Sequence, residues 1–165
     1  MFGFAIAAAL AAAPPGDPCA YDRDRLLSLD QRAFDQDVEG GWRALANDPR
    51  CWIAAADLLR DYRQLHQSTA SILFWHEGQL RANAGQMDAA IALFEQSRAK
   101  QRDPVGWNLY VDGTIAFLRH DRAGLQAARD KLAAVPKPAD FHPVDPSGKP
   151  VAITWPPNLN VLDGY

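Results

Sequence analysis

Apolar residues recur at the spacing of one buried helical face in the stretch from residue 71 to residue 104. This i, i+3, i+4, i+7 pattern is typical of an amphipathic α-helix. Gly85 interrupts the stretch at a point where a left-handed residue commonly ends a helix. The pattern therefore predicts two helices, over 71–84 and 86–100, that are joined by a tight turn. The apolar positions of the second helix are Met87, Ala90, Ile91 and Phe94, followed by Ser97.

The same spacing continues in shorter pieces on both sides of this pair. It predicts helices over 22–37, 42–46 and 51–65, with glycine and proline breaks between them. After Pro104 it predicts a helix over 105–118 that is apolar nearly all round and therefore covered on more than one side. Asp121 is placed to cap the next helix. Together these elements predict an all-α fold of antiparallel helix pairs. The buried stripe of the last helix is Leu125, Ala128, Leu132 and Val135.

Residues 136–165 differ from the rest because seven of the twelve prolines lie there. Proline lacks the backbone N–H and breaks helices, so most of this segment is not helical. Its apolar content is too high for a disordered tail. We expect an extended segment that lies on the helices, with a short strand over 151–155. The alternative is a free proline-rich ligand for another protein.

The first thirteen residues carry no charged side chain and are almost entirely apolar. A bilayer span needs about twenty such residues, so no integral membrane span is predicted here. The segment fits the apolar core of a secretory signal peptide, 1–13, followed by a helical domain over 19–135 and the tail over 136–165. The sequence thus predicts a periplasmic or secreted protein. The alternatives are an N-terminal helix that packs on the domain, or a start that truncates a longer signal, and the alternative location is cytoplasmic.

Two cysteines, Cys19 and Cys51, are present, and neither belongs to a CxxC motif. Zinc and thioredoxin-like chemistry are therefore not supported. In an oxidising compartment two cysteines most simply form one disulfide. Such a bond would close a loop of about thirty residues and contribute about 3–4 kcal/mol. The alternative is two buried free thiols.

Charge and motifs narrow the classes of function. The net charge is -3 and no basic run is present, which argues against nucleic acid or an anionic membrane surface as the partner. The sequence contains no HExxH, P-loop, GxSxG or GxGxxG motif. No catalytic residue, metal or cofactor is therefore predicted, and a non-catalytic role is favoured.

Small and aromatic residues stand at fixed offsets in the 71–104 stretch, and in this it resembles a tetratricopeptide repeat. That family's unit of about 34 residues pairs two helices, and several units are needed to bury a core. Two positions depart from the family pattern: Glu77 replaces a leucine and Arg81 a tyrosine. The closing proline, Pro104, comes two places late. With Ser71 as the first position, the matching residues are Phe74, Gly78, Gly85, Ala90 and Phe94.

A second, weaker copy follows at an offset of 35 residues. Its second helix departs from the family register. The resemblance implies a short solenoid of about two stacked helix pairs, with the proline-rich tail packed on it. The corresponding residues of the second copy are Leu109, Tyr110, Gly113 and Ile115.

The resemblance also implies a binding surface, because the first helix of each pair lines the concave face in such repeats. It implies a groove for a protein or peptide, with Trp75, Trp107 and Tyr110 in an exposed patch. Aromatic rings mixed with amides and hydroxyls are common in binding hot spots. Alternatively, the N-terminal helices or the tail, through Trp155-Pro156-Pro157, fill the groove permanently. The implied groove residues are Ile72, Trp75, Gln79, Ala82, Asn83, Trp107, Tyr110, Thr114, Phe117 and Leu118.

Acidic residues, Glu77 and Asp112, occupy the same position in both copies, where the family usually has leucine. One interpretation is ion pairing, of Glu77 with Arg81 and of Asp112 with an arginine of a neighbouring helix. The alternative is a small enzyme or enzyme subunit in which both carboxylates act with His76 in acid–base chemistry. That alternative requires the three side chains to converge within about 4 Å, since acid and base groups need hydrogen-bond reach.

Overall fold

A computed structural model describes residues 16–145 and 147–165, and these residues confirm the all-α prediction. The signal peptide predicted at 1–13 lies outside the described residues. None of the described helices is long and apolar enough to cross a bilayer. The helices are α1 Arg23–Leu27, α2 Gln31–Asp35, α3 Gly41–Ala46, α4 Trp52–Leu65, α5 Ser71–Asn83, α6 Met87–Gln96, α7 Trp107–Leu118, α8 Arg122–Ala133 and α9 Leu159–Asp163, with a 3-10 turn, Pro49–Cys51, before α4.

Helix α5 joins two hydrophobic clusters. Leu73 and Leu80 belong to a cluster formed with α1–α4, whereas Trp75 belongs to a second cluster formed with α6–α9. The most extensive helix contacts are those of α4 with α5, α5 with α6, and α7 with α8. Gly78 lets α6 come close, because a Cβ built on it would lie 2.6 Å from the Phe94 ring. The stacking of these pairs into a tetratricopeptide-like solenoid stays a prediction.

The single helix predicted over 22–37 is wrong, because two short helices, α1 and α2, occupy this stretch. The Ser28 hydroxyl donates to the carbonyl of Arg25 at 2.8 Å as α1 ends. The Asp30 carboxylate accepts from the N–H of Ala33 at 2.8 Å and caps α2. Both side chains offer the backbone a local partner that competes with a continuous helix.

Helix α6 ends at Gln96, four residues before the predicted end. Backbone groups just after α6 form hydrogen bonds with side chains of α7, where a further helical turn would have supplied backbone partners. Trp107 donates from Nε1 to the carbonyl of Ser97 at 2.8 Å. The side chain of Asn108 accepts from the N–H of Ala99 at 2.8 Å and donates to its carbonyl at 3.1 Å. The early end is thus imposed by residues that are distant in sequence.

The strand predicted over 151–155 is also wrong, since no strand is formed there. In the described part of the tail, the β-type pairing is one antiparallel bridge between Val144 and Pro150. Proline has no N–H to donate, so a ladder cannot run through this position.

The end of the tail contacts α7 and α8. Leu162 of α9 is buried, and a Cβ on Gly113 of α7 would come 2.7 Å from its methyl groups. Trp155 donates from Nε1 to the carbonyl of Val135 at 2.8 Å and packs edge-on against Phe141. These contacts place Trp155 beyond the end of α8.

A disulfide joins Cys19 to Cys51, whose sulfur atoms are 2.00 Å apart. It connects the segment before α1 to the 3-10 turn that leads into α4. A disulfide is compatible with an oxidising environment.

Removal of this disulfide is expected to lower the free energy of unfolding by about 3 kcal/mol, because the unfolded chain gains freedom when the loop opens. Urea unfolding of the Cys19→Ser/Cys51→Ser variant measures this loss. Wild-type protein with its disulfide reduced is the control, and its urea midpoint should equal that of the variant. Equal unfolding midpoints for oxidised wild type and the variant would contradict a stabilising bond.

Candidate functional site

A cavity of about 410 Å³ opens between α3, α5 and α7, with the start of α4 and Tyr165 at its edges. Pockets for small ligands typically measure about 300–1,000 Å³. No Lys, Arg, Asp or Glu lines this one, which we call the aromatic cavity. Its aromatic residues are Trp42, Trp52, Trp75, Phe94, Phe117 and Tyr165.

Two helix faces supply the main walls of the aromatic cavity. His76, Gln79 and Asn83 line it from α5, at i, i+3 and i+7, which puts them on one face of that helix. Thr114 and Phe117 line it from α7. The two walls therefore bring polar residues of α5 and α7 to the border of one space that aromatic residues also line.

The aromatic cavity contains some but not all of the residues that the tetratricopeptide resemblance implies. Trp75, Gln79, Ala82, Asn83, Thr114, Phe117 and Leu118 line it, and Ile72, Trp107 and Tyr110 do not. Of residues 150–165, it is Tyr165 that reaches the cavity, so Trp155-Pro156-Pro157 does not fill it.

The expected exposed patch of Trp75, Trp107 and Tyr110 is a packed cluster. Trp75 and Tyr110 are buried, and the ring of Trp75 lies 4.8 Å from the rings of both Trp107 and Tyr110. Trp107 is half-buried, and its indole N–H donates to the backbone carbonyl of Ser97. Spacing along one helix could not reveal that these three rings meet each other between α5 and α7.

Asp35, which sequence reasoning missed, is fully buried behind Trp42 and His76, two residues of the cavity wall that it contacts. Its Oδ1 lies 2.6 Å from Nδ1 of His76 and accepts a hydrogen bond from Nε1 of Trp42 at 2.9 Å. Its Oδ2 accepts from the side chain of Gln36. Burial raises the pKa of Asp35, but the hydrogen bond from His76, the charge of His76 when it is protonated, and the hydrogen bonds from Trp42 and Gln36 outweigh it, and the pKa lies below the usual value. Asp35 is therefore a charged, fully partnered carboxylate.

Arg43 completes this cluster from α3. Its Nε donates to the backbone carbonyl of Asp35 at 2.9 Å, and its guanidinium lies 4.3 Å above the Trp42 ring. A terminal nitrogen of Arg43 lies 3.5 Å from Nε2 of His76. The imidazole is thus fixed at Nδ1 and only weakly engaged at Nε2.

The hydroxyl of Thr114 is an exception to the rule that buried polar groups are paired. Thr114 is 4% exposed, and its Oγ1 has no hydrogen-bond partner in the part of the chain that the structure describes. Burial, and then the neighbouring Tyr165, raise the pKa of Tyr110. The Thr114 hydroxyl opposes this rise as a hydrogen-bonding neighbour of Tyr110, but no contact at its Oγ1 meets both the distance and the angle of a hydrogen bond. A buried hydroxyl that is left without a partner costs about 1–3 kcal/mol.

Glu77 and Asp112 are each engaged by arginine, as the ion-pairing interpretation requires. Glu77 bonds Arg63 of α4 and lies 3.4 Å from Arg81. Asp112 lies 2.8 Å from Arg98, near the end of α6. His76, Glu77 and Asp112 line three different depressions, so the structure does not bring them together as one acid–base site.

Within residues 16–145 and 147–165, no group of three or more His, Cys, Asp or Glu side chains is arranged to hold a metal ion. Comparison of the chain with protein-family models, with curated proteins and with solved structures finds no match in any of the three. The function is therefore argued from the geometry of the aromatic cavity.

Proposed function

We propose that the protein is a non-catalytic, peptide-binding helical module that holds an apolar side chain of its partner in the aromatic cavity. The observation that carries this proposal is a cavity of about 410 Å³ that combines aromatic walls with the unpaired hydroxyl of Thr114. A scaffold or accessory subunit needs such a site for one segment of another protein.

The lining of the aromatic cavity favours an uncharged peptide segment as the occupant. No charged side chain lines the cavity, so a charged ligand group would lose its hydration without gaining a partner. Gln79 and Asn83 each offer an amide donor and acceptor, which complement the N–H and C=O of a peptide backbone. The aromatic rings then contact the side chain between those backbone groups.

Two wider features are proposed with this function. The paired contacts of α5 with α6 and of α7 with α8 support a short tetratricopeptide-like array, on which the tail packs through Leu162 and Trp155. The disulfide supports an oxidising compartment, the periplasm or the extracellular space. A catalytic role is disfavoured because Glu77 and Asp112 pair with arginines outside the aromatic cavity.

Titration with blocked single residues tests the site directly. The probes are the N-acetyl N′-methylamides of phenylalanine, leucine, glutamate and lysine, and amide and indole N–H signals are followed by NMR. We expect saturable shifts at Trp42, Trp52 and Trp75 with the phenylalanine and leucine probes and none with the charged probes. A chitin trisaccharide is the probe for a carbohydrate as the alternative occupant. Shifts confined to other surfaces, or shifts at the cavity with the trisaccharide and not with the peptide probes, would overturn the proposal.

Thr114→Val is expected to raise the free energy of unfolding by about 1 kcal/mol and to weaken binding of the phenylalanine probe. Valine has nearly the same shape and removes a buried hydroxyl that has no partner. Urea unfolding and the NMR titration measure the two effects.

Ser97→Ala is the matched control for Thr114→Val, because the Ser97 hydroxyl is also buried but donates to the carbonyl of Phe94 at 2.7 Å. It should lower stability and leave probe binding unchanged. If Thr114→Val lowers stability as much as Ser97→Ala does, the Thr114 hydroxyl is a structural group and not a binding group.

A further inference from the structure

The protonation of His76 follows from its contact with Asp35. Nδ1 of His76 lies 2.6 Å from a carboxylate oxygen, which accepts hydrogen bonds and has none to donate. Nδ1 must therefore carry the hydrogen. In the neutral imidazole, Nε2 is then an acceptor, and His76 is one of the residues that line the aromatic cavity.

The contacts of His76 fit an imidazole that carries its hydrogen on Nδ1. From α3, a terminal nitrogen of Arg43 lies 3.5 Å from Nε2, and a hydrogen on Nε2 would face this positive donor. From α2, Asp35 faces Nδ1, and the Trp42 ring lies 5.2 Å from the imidazole. The remaining walls of the aromatic cavity carry no charged side chain. Nε2 thus presents a lone pair.

Arg43 does not saturate that lone pair. A separation of 3.5 Å is at the outer limit of hydrogen-bond distance. Arg43 is also held in place by its bond to the Asp35 carbonyl and by its stacking on Trp42. Nε2 can therefore accept a stronger hydrogen bond from a ligand in the aromatic cavity.

We infer that His76 is a specificity-determining residue, whose Nε2 accepts a hydrogen bond from a backbone N–H of the bound peptide. This inference rests on the proposed function, because it assigns one contact within the same cavity. Asp35 acts as a positioning residue that fixes the tautomer. The Thr114 hydroxyl is the complementary donor for a ligand carbonyl. The site therefore takes secondary amides and rejects segments that are N-alkylated beside the anchored side chain, as proline is.

The test compares N-acetyl-phenylalanine N′-methylamide with its analogue methylated at both amide nitrogens. The analogue keeps the ring and both carbonyls and has no N–H. We expect wild-type protein to bind the parent at least about tenfold more tightly, which corresponds to the cost of one unpaired polar group. The imidazole ¹⁵N spectrum should show the Nδ1–H tautomer, and the His76 Nε2 signal should shift with the parent alone.

His76→Phe should bind both probes with equal affinity. His66→Phe is the control, because His66 contacts the carbonyl of Leu27 and Tyr62, away from the aromatic cavity; it should keep the full preference. The ¹⁵N spectrum of wild-type protein serves as the test if His76→Phe does not fold.

The outcomes separate this inference from the proposed function. Equal binding of both probes at the cavity of wild-type protein overturns the role of His76 and leaves the peptide site intact. An Nε2–H tautomer in the wild type also overturns it. Absence of any shift at the cavity with either probe overturns the peptide site, and the role of His76 with it.

Discussion

Glu77→Leu is expected to lower the free energy of unfolding by about 3–5 kcal/mol, although leucine is the residue that the tetratricopeptide pattern has at this position. The side chain of Glu77 is 4% exposed and pairs with Arg63 and Arg81, which are also largely buried. Leucine would leave the charge of Arg63 buried without a carboxylate. Arg81 would keep Asp57 at 2.6 Å, so the loss falls mainly on Arg63.

Asp112→Leu is the matched control, because the tetratricopeptide resemblance makes Asp112 the equivalent of Glu77. Its side chain is 48% exposed, and its pair with Arg98 is screened by water. We expect a change of less than about 1 kcal/mol, as for other surface ion pairs. Urea unfolding of both variants provides the comparison. Equal losses would show that the position in the repeat, and not burial of the pair, determines the cost.

A double variant separates the loss of an ion pair from a clash. Glu77→Leu/Arg63→Met replaces both charged partners with apolar side chains, and such replacements are often neutral or stabilising. It should therefore recover most of the stability that Glu77→Leu loses. If the double variant is as unstable as the single one, then leucine does not fit between α4 and α5, and the explanation by a stranded charge is wrong.

The parts of the fold that local rules control were predictable from the sequence. Helix α5 begins at Ser71 as predicted, and Gly85 follows its end with a φ of 78°. Asp121 caps α8 by accepting from the N–H of Gly124 at 2.9 Å. In each case the residue acts on backbone groups a few positions away. The end of α6 was not predictable, because Trp107 and Asn108 fix it from the next helix.

The residues of the candidate site also include some that the sequence could predict and one that it could not. The tetratricopeptide resemblance implies Gln79, Asn83, Thr114 and Phe117 as groove residues, and these four line the aromatic cavity. Asp35 could not be identified, since its partner His76 is 41 residues away and no motif joins the two. The patterns along the chain also gave no sign of which surface α3 would present to α2.

Gly41→Ala is expected to lower the free energy of unfolding by about 3 kcal/mol or more, from left-handed backbone strain together with overpacking. Gly41 begins α3 with a φ of 54°, a conformation that disfavours a Cβ. A Cβ built there would lie 1.9 Å from the carbonyl oxygen of Phe34. Backbone atoms cannot rotate away as a side chain can, so α3 must move from α2.

Gly40→Ala is the control for this substitution. A Cβ at Gly40 would lie 2.4 Å from a carboxylate oxygen of Asp37, an exposed side chain that is free to move, and the φ of Gly40 is -127°. The expected loss is about 1 kcal/mol or less, since alanine is a poorer N-cap than glycine. Urea unfolding distinguishes the two variants. Similar losses would mean that the approach of Gly41 to Phe34 is not a tight contact.

The Gly41 variant also connects the fold to the aromatic cavity. Trp42 and Arg43 follow Gly41 directly, and both contact Asp35 at the end of α2. If α3 moves away, Trp42 no longer donates to Asp35, and the Trp42 indole N–H signal should shift toward that of an exposed tryptophan. Probe affinity should fall together with this signal. A destabilised Gly41→Ala protein that keeps the wild-type indole signal and affinity would show that the cluster around Asp35 forms without the close packing of α3 on α2.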